Sequence, residues 1–316
     1  MQSYTQVPTL IPVDPLMDRQ DSDVLRQAMK GLGTDEQALI DVIAHRTSSQ
    51  RQIIRETYSQ VYERDLVKDL KSENSGHFKD VLVALMTPMP LYLAQALKNA
   101  IHKKNANTLM EVLYRDKASN ENIKKAYMEE YGTELTEDLK SFPPARFGQF
   151  VVAMVNHDRS DVTDDLQVAK YLSQKLFDAG AGKSGISVED EFMRILTKFN
   201  YPMLRLVFKE YLNIHGTEFQ NLIDTKISEE LTDTMKSIYL QITSPPAFLA
   251  RELHSSMIGI GTDDPKLIRL VVSRCEIDME NIKEEYEKRY NTSLEEAITA
   301  DTTRDYRRTL LALIAR

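Results

Sequence analysis

The stretch Met29-Lys30-Gly31-Leu32-Gly33-Thr34 returns, nearly intact, as Met257-Ile258-Gly259-Ile260-Gly261-Thr262. Each copy is followed at one fixed distance by an acid: 38 residues lie between Thr34 and Glu73, and 38 between Thr262 and Asp301. Two glycines let a tight loop aim successive backbone carbonyls at one point. Ca2+ takes roughly 6–8 oxygens at about 2.3–2.6 Å, carbonyls and a bidentate carboxylate among them. Three loop carbonyls plus two oxygens from a distant acid would leave places for water or a phosphoryl oxygen. The competing reading is structural, with a glycine ending one helix in the left-handed region and Thr34 capping the next. Recurrence of both halves, loop and acid, favours calcium. Neither loop has the acidic density of an EF-hand, and no D-x-D-x-D-G run is present.

The motif sits inside a longer period. Tyr58, Tyr127, Tyr211 and Tyr286 each stand four residues before a second ring, namely Tyr62, Tyr131, His215 and Tyr290. A large apolar residue follows four further on, and the lead tyrosines are 69, 84 and 75 residues apart. The spacing predicts four repeats, at 21–87, 90–157, 165–243 and 246–316, behind a short tail at 1–20. Asn156 to Asp165 is the one stretch resembling a longer linker; Pro88-Met89-Pro90 and Pro245-Pro246 mark the other joints.

Each repeat reads as helical throughout. In the first, Val24, Leu25, Ala28 and Met29 fall at helical spacing, as do Leu39, Ile40, Val42 and Ile43. Ile53, Ile54, Tyr58, Val61 and Tyr62 make a third face, Leu66, Val67 and Leu70 a fourth, and Phe78, Val81, Leu82 and Leu85 a fifth. Thr34 with Gln37 and Thr47 with Gln50 have capping-box spacing, and Asn74-Ser75-Gly76 is a break with a cap. The fold class predicted is all-α, with five short helices per repeat gathered into one compact array.

The formal charge of −8 over 316 residues argues against a nucleic-acid partner, which needs a basic face. It also disfavours direct attachment to anionic lipid unless a cation stands between. The lone Cys275 fits a reducing compartment. Met1 to Leu16 holds three prolines and no basic-then-apolar run, so no secretory signal is expected, and no apolar stretch reaches the roughly 18–20 residues of a spanning helix. A soluble, cytoplasmic protein is expected. Gly180-Ala181-Gly182-Lys183-Ser184 imitates a phosphate loop, but Phe177 stands where the earlier glycine belongs and a helical segment leads in. The histidines lack metal-ligand spacing, and Cys275 reads as a small core residue. Enzyme activity is not expected.

In its four repeats and its G-x-G-T, 38 residues, Asp/Glu signature the chain closely resembles the annexins, from Asp21 to the C-terminus. Leu25 to Leu39 and Leu267 to Ile282 resemble annexin sequence almost residue for residue, and the tail is that of an invertebrate-like or other non-long-tailed member. The resemblance implies five-helix repeats in a slightly curved disc with calcium loops on the convex face. It also implies reversible, calcium-dependent attachment to an anionic phospholipid membrane surface, so the protein would be cytoplasmic and become peripheral on membranes when calcium rises.

Carried over by residue, the resemblance makes Met29, Gly31 and Gly33 carbonyl ligands with Glu73 as bidentate acid, and Met257, Gly259 and Gly261 ligands with Asp301. Thr34 and Glu36 match a weaker accessory site, while Lys79 stands where a further site would need an acid. Ile258 and Ile260 either dip into the lipid interface or lie over their own repeat's core. In the second repeat the loop reads Ile101-His102-Lys103-Lys104-Asn105-Ala106-Asn107, one residue short, and Phe142 replaces the acid, so that site is lost. In the third, Gly180, Lys183 and Gly185 fit carbonyl positions, Ile186 replaces Thr and Lys226 the acid, with Glu229 and Glu230 close enough for a shifted coordination.

Two rival functions belong to other classes. A calcium conductance, proposed for some annexins, would use acids where this chain has Leu93 and Ala96, although Arg115 and Arg274 match basic positions of that passage. A scaffold or membrane-aggregating role through the tail would need an amphipathic helix, which Met1 to Asp18 does not offer, so no EF-hand partner is expected there. Self-association on membranes is left open by the sequence.

Overall fold

The structure is a computed structural model that describes residues 4–31, 33–115, 117–156, 160, 164–259 and 261–315, with backbone alone at 117 and 230. Among these lie twenty α-helices and no strand; Ser160 and Phe199 form an isolated bridge. The first five are α1 (Asp18–Ala28), α2 (Glu36–Ile43), α3 (Ser48–Tyr62), α4 (Leu66–Glu73) and α5 (Gly76–Met86). Next come α6 (Met89–Lys103), α7 (Ala106–Leu113), α8 (Lys117–Tyr131), α9 (Leu135–Lys140) and α10 (Ala145–Asn156). The third group is α11 (Leu166–Gly180), α12 (Val188–Lys198), α13 (Tyr201–His215), α14 (Phe219–Lys226) and α15 (Glu229–Thr243). The last is α16 (Pro245–Met257), α17 (Asp264–Arg274), α18 (Met279–Tyr290), α19 (Leu294–Asp301) and α20 (Arg304–Ile314).

The helical periods of the first repeat become its core. Leu25, Leu39, Ile43, Ile54, Tyr58, Leu66, Leu70 and Leu85 are all at most 1% exposed. Ile53 departs from the expected face and is 47% exposed, because α3 turns its neighbour Ile54 inward instead. The capping box of Thr47 and Gln50 forms as its spacing predicts, whereas Ser75 makes no side-chain cap.

The helices gather into two compact units. One is Tyr4–Tyr92 with Pro246–Arg316, and the other includes Leu93–Pro245. In the first, α5 packs on α17 and α20 and α2 packs on α20, so the first repeat is completed by the fourth. In the second, α10 packs on α12 and α7 on α15. The boundaries fall beside the two proline joints, where Met89–Pro90 and Pro245–Pro246 open helices, and not at Asn156 to Asp165. Within that stretch Ser160 is pinned, donating its N–H to Lys198 O and accepting from Asn200 Nδ2; 157–159 and 161–163 lie outside the described residues.

The paired rings mark the repeats in three dimensions. Their centroids stand 5.0 Å apart for Tyr58 and Tyr62, 4.9 Å for Tyr127 and Tyr131, 4.8 Å for Tyr211 and His215, and 4.9 Å for Tyr286 and Tyr290. Two lead tyrosines also donate to a carboxylate eleven residues on: Tyr58 to Asp69 at 2.8 Å and Tyr127 to Asp138 at 2.5 Å. Asp69 further accepts a bidentate pair from Arg64, at 2.7 and 2.6 Å. The Arg64 bonds, with Tyr58 and Arg26 behind them, hold the Asp69 carboxyl below its usual range, and burial together with Asp69 pushes Tyr58 up to about 12. A depressed folded-state pKa stabilises the fold above the ordinary carboxyl value near 4 and is lost as pH falls through the lower folded value. Asp69→Asn is therefore expected to cost about 1–3 kcal/mol at pH 7. In urea melts against pH, the variant should lack part of the parent's loss below pH 4.

The tail is part of the first unit. Tyr4 Oη donates to Asp278, Thr9 N and Leu10 N both reach Cys275 O at 3.0 Å, and Thr9 Oγ1 reaches Leu313 O at 2.7 Å. Val13 exchanges hydrogen bonds with the Gln50 side chain. The segment thus ties the fourth repeat to the first. Cys275 is fully buried, and burial pushes its thiol up to about 12, consistent with a core residue rather than a nucleophile.

Candidate metal centre

Helix α1 ends before its glycines. Its cap Met29 keeps a negative φ of −106°, so neither Gly31 nor Gly33 serves to terminate it. Asp35 N donates to Ala28 O at 2.9 Å and closes the loop between them. Inside it Gly31 and Gly33 have φ of +111° and +87°. The distant copy repeats this: Asp263 N meets Ser256 O at 2.8 Å, and Gly259 and Gly261 have φ of +107° and +84°. A Cβ at any of the four would meet nothing within 4 Å, so backbone conformation, not crowding, demands glycine.

Thr34 is not the helix cap that its spacing to Gln37 predicts. Asp35 caps α2 by accepting from Ala38 N at 3.0 Å, and Asp263 caps α17 by accepting from Lys266 N at 3.2 Å. That leaves Thr34 Oγ1 to donate to Glu73 O at 3.2 Å, while Thr262 Oγ1 reaches Asp301 O at 3.4 Å and Oδ2 at 2.5 Å. Each loop is thereby joined to the acid 39 residues away. The acids arrive there because α4 and α19 are both eight residues long and end on Glu73 and Asp301. An Asp directly after each Thr was the available sign of the true caps.

The two acids differ in readiness. Glu73 is exposed and its carboxylate makes no hydrogen bond among the described residues, whereas Asp301 is half-buried with one oxygen taken by Thr262. Among the described residues no group of three His, Cys, Asp or Glu side chains converges, so these centres would rest on backbone carbonyls and one carboxylate each. That all-oxygen donor set fits a hard cation such as Ca2+ and not a thiolate- or imidazole-seeking metal. Ile258 is 57% exposed and does not cover its repeat's core, while Leu32 and Ile260 lie outside the described residues. Gly33→Ala or Gly261→Ala should cost about 1 kcal/mol of local backbone energy. We expect that calcium affinity at the altered loop falls at least tenfold in calorimetric titration while the urea midpoint barely moves.

The middle repeats build something else. Asn105 N meets Ala100 O at 2.9 Å, a closure spanning five residues where the intact loops span seven, so this loop is two residues short and not one. Phe142 is 2% exposed and packs on Phe147 at 5.7 Å between ring centroids, so the acid's place belongs to the core. In the third repeat Gly180 is the last residue of α11, where a Cβ would overlap the end of the Leu222 side chain of α14, so its contact there is with packing and not with an open loop. Gly182 and Gly185 have φ of +70° and +71°, unlike the intact loops. Lys226 ends α14, and the Glu230 side chain lies outside the described residues.

The family model described as Annexin matches residues 20–85 and 248–313, the two stretches that hold the complete loop-and-acid pairs. Annexin B10 of Drosophila melanogaster is 41% identical over 318 residues, covering 98% of each chain. The chain belongs to the annexin family. Annexin A5 of Rattus norvegicus is 41% identical over 302 residues, 93% of either chain. Among solved structures, annexin III superposes with a TM-score of 0.93 at 34% identity, covering 99% of this annexin and 98% of that chain. Annexin (Sm)1, solved with calcium bound, gives 0.86 at 28% identity over 98% and 93%. The family is known in general for calcium-dependent phospholipid binding, and its members are generally not enzymes. No helix among the described residues of this annexin is long and apolar enough to cross a membrane.

Proposed function

We propose that this annexin attaches reversibly to anionic phospholipid through Ca2+ held in its first and fourth repeats. The carbonyls of Met29, Gly31 and Gly33 with the Glu73 carboxylate hold one ion, and those of Met257, Gly259 and Gly261 with Asp301 hold the other. The observation that carries this reading is the near-identity of two loops 228 residues apart, with glycine φ values agreeing within 4° and each threonine on its acid's segment. Nothing in ordinary helix capping asks for that pairing, since Asp35 and Asp263 already cap. Bound calcium supplies a positive charge shared between loop oxygens and a lipid phosphate. The chain's own part is to hold the carbonyls and to bring the acid close without neutralising it. Net charge −8 disfavours anionic lipid until the cation is present, which gives the attachment its switch. At about 150 mM salt, cosedimentation with phosphatidylserine vesicles should appear on adding calcium and reverse on adding chelator. Equal binding with and without calcium would overturn the reading.

A further inference from the structure

In the two repeats without a G-x-G-T loop and its distant acid, lysines stand in the loop, and in the third repeat one also stands at the acid's place. Helix α14 has eight residues like α4 and α19, and its last residue, at the place of Glu73 and Asp301, is Lys226. Leu222, one helical turn earlier on the same face, lies against Gly180, so that face of α14 turns toward the end of α11 and the loop that follows. Lys183 is exposed in that loop. In the second repeat Lys103 ends α6 and Lys104 follows with φ +55°, both exposed, at the shortened loop. None of these four lysines has an ion-pair partner among the described residues. In the same unit Lys98, Lys140 and Lys236 are held by Asp138, Glu137 and Asp224.

We propose that Lys103, Lys104, Lys183 and Lys226 contact the phosphates of an anionic lipid surface directly, without calcium; this rests on the membrane-binding reading above. An ammonium is a compact, strongly hydrated point charge that binds phosphate without demanding fixed geometry. Like charge repels a calcium ion from these loops and attracts the anion that calcium would otherwise bridge. The occupant is a lipid surface rather than a single free phosphate, because the lysines stand on separate loops that no single phosphate bridges, whereas an extended anionic surface offers a phosphate to each. A lysine near such a surface is worth about fivefold in affinity at low ionic strength, and the effect fades beyond about 8 Å in physiological salt. The middle repeats would then contribute a weak, salt-sensitive, calcium-free adhesion on which the calcium centres build.

The test uses the full chain and vesicles of phosphatidylserine with phosphatidylcholine, in chelator, at about 20 mM and about 150 mM salt. The parent should bind measurably at low salt and lose that binding at high salt. Lys103→Gln/Lys104→Gln/Lys183→Gln/Lys226→Gln should reduce the low-salt affinity by at least a hundredfold, while the matching Lys→Arg variant retains it. Inorganic phosphate at millimolar concentration should not compete; full competition would point to a free-phosphate site and overturn the lipid assignment. Unchanged calcium-free binding in the glutamine variant, or a parent that binds only with calcium, overturns the proposal. The calcium-dependent reading fails separately, through vesicle binding that ignores Glu73→Gln/Asp301→Asn, and that variant should keep the calcium-free component intact.

Discussion

Glu73→Gln combined with Asp301→Asn should abolish the calcium-dependent component of vesicle cosedimentation. Both changes keep shape and volume and remove one negative charge and one strong oxygen donor from each centre. Helices α4 and α19 end in exposed or half-exposed turns, so the fold should be untouched. The single variants separate the two centres. Glu73 has no competing partner among the described residues, whereas Asp301 must release Thr262 Oγ1 before both its oxygens are free. The first repeat should therefore bind calcium more tightly, and Glu73→Gln should shift the calcium midpoint further than Asp301→Asn. Two centres on one compact unit would also act together, so the loss on removing both should exceed a hundredfold, more than either single change predicts alone. A double variant that sediments with the parent's calcium midpoint would mean that these are not the ligands.

Arg51→Met is expected to be the most destabilising of the substitutions considered, at about 3–5 kcal/mol. Arg51 is 1% exposed, and its guanidinium closes the C-terminal ends of two helices. Nε donates to Leu85 O at 2.7 Å near the end of α5, and Nη1 to Ile43 O at the end of α2 and to Arg46 O. Those carbonyls belong to last turns or the segment just beyond, where no intrahelical donor remains. A fourth bond runs from Nη2 to Glu276 Oε1 at 3.2 Å, which also accepts from Ser48 N at 2.7 Å, tying the fourth repeat to the first. Burial depresses the guanidinium's pKa and Glu276 pulls it back, so the charge is held by its partners. Methionine fills the space but orphans the buried carbonyls, and the urea midpoint should drop accordingly. Glu276 is a quarter exposed, so Glu276→Gln should cost only about 1 kcal/mol. Equal effects from the two substitutions would show that the ion pair, rather than helix-end capping, holds this joint.

Much of the fold was legible because helical burial leaves a periodic trace. The faces built on Leu25, Leu39, Ile54, Tyr58 and Leu85 are buried where the spacing placed them, and only Ile53 turned outward. The tyrosine pairs were legible as repeat markers, but the carboxylates that anchor two of them were not. Asp69 and Asp138 are two acids among many until the chain folds back on itself. The cap at Asp35 was missed for a related reason: Thr34 has equal capping chemistry, and only the position of Glu73 decides which residue is free.

Sequence alone determined the all-helical class, the fourfold period and the two loop-and-acid pairs, since each is a matter of spacing along one chain. Tertiary structure decided which repeat completes which, because α5 buries its apolar face on α17 and α20, far away in sequence. It also decided what became of the middle loops. The sequence already names Phe142 and Lys226 where acids are expected, but only packing shows Phe142 in the core and Lys226 at the end of an eight-residue helix. A residue's charge is written in the sequence; what that charge faces depends on packing between segments that the sequence holds apart.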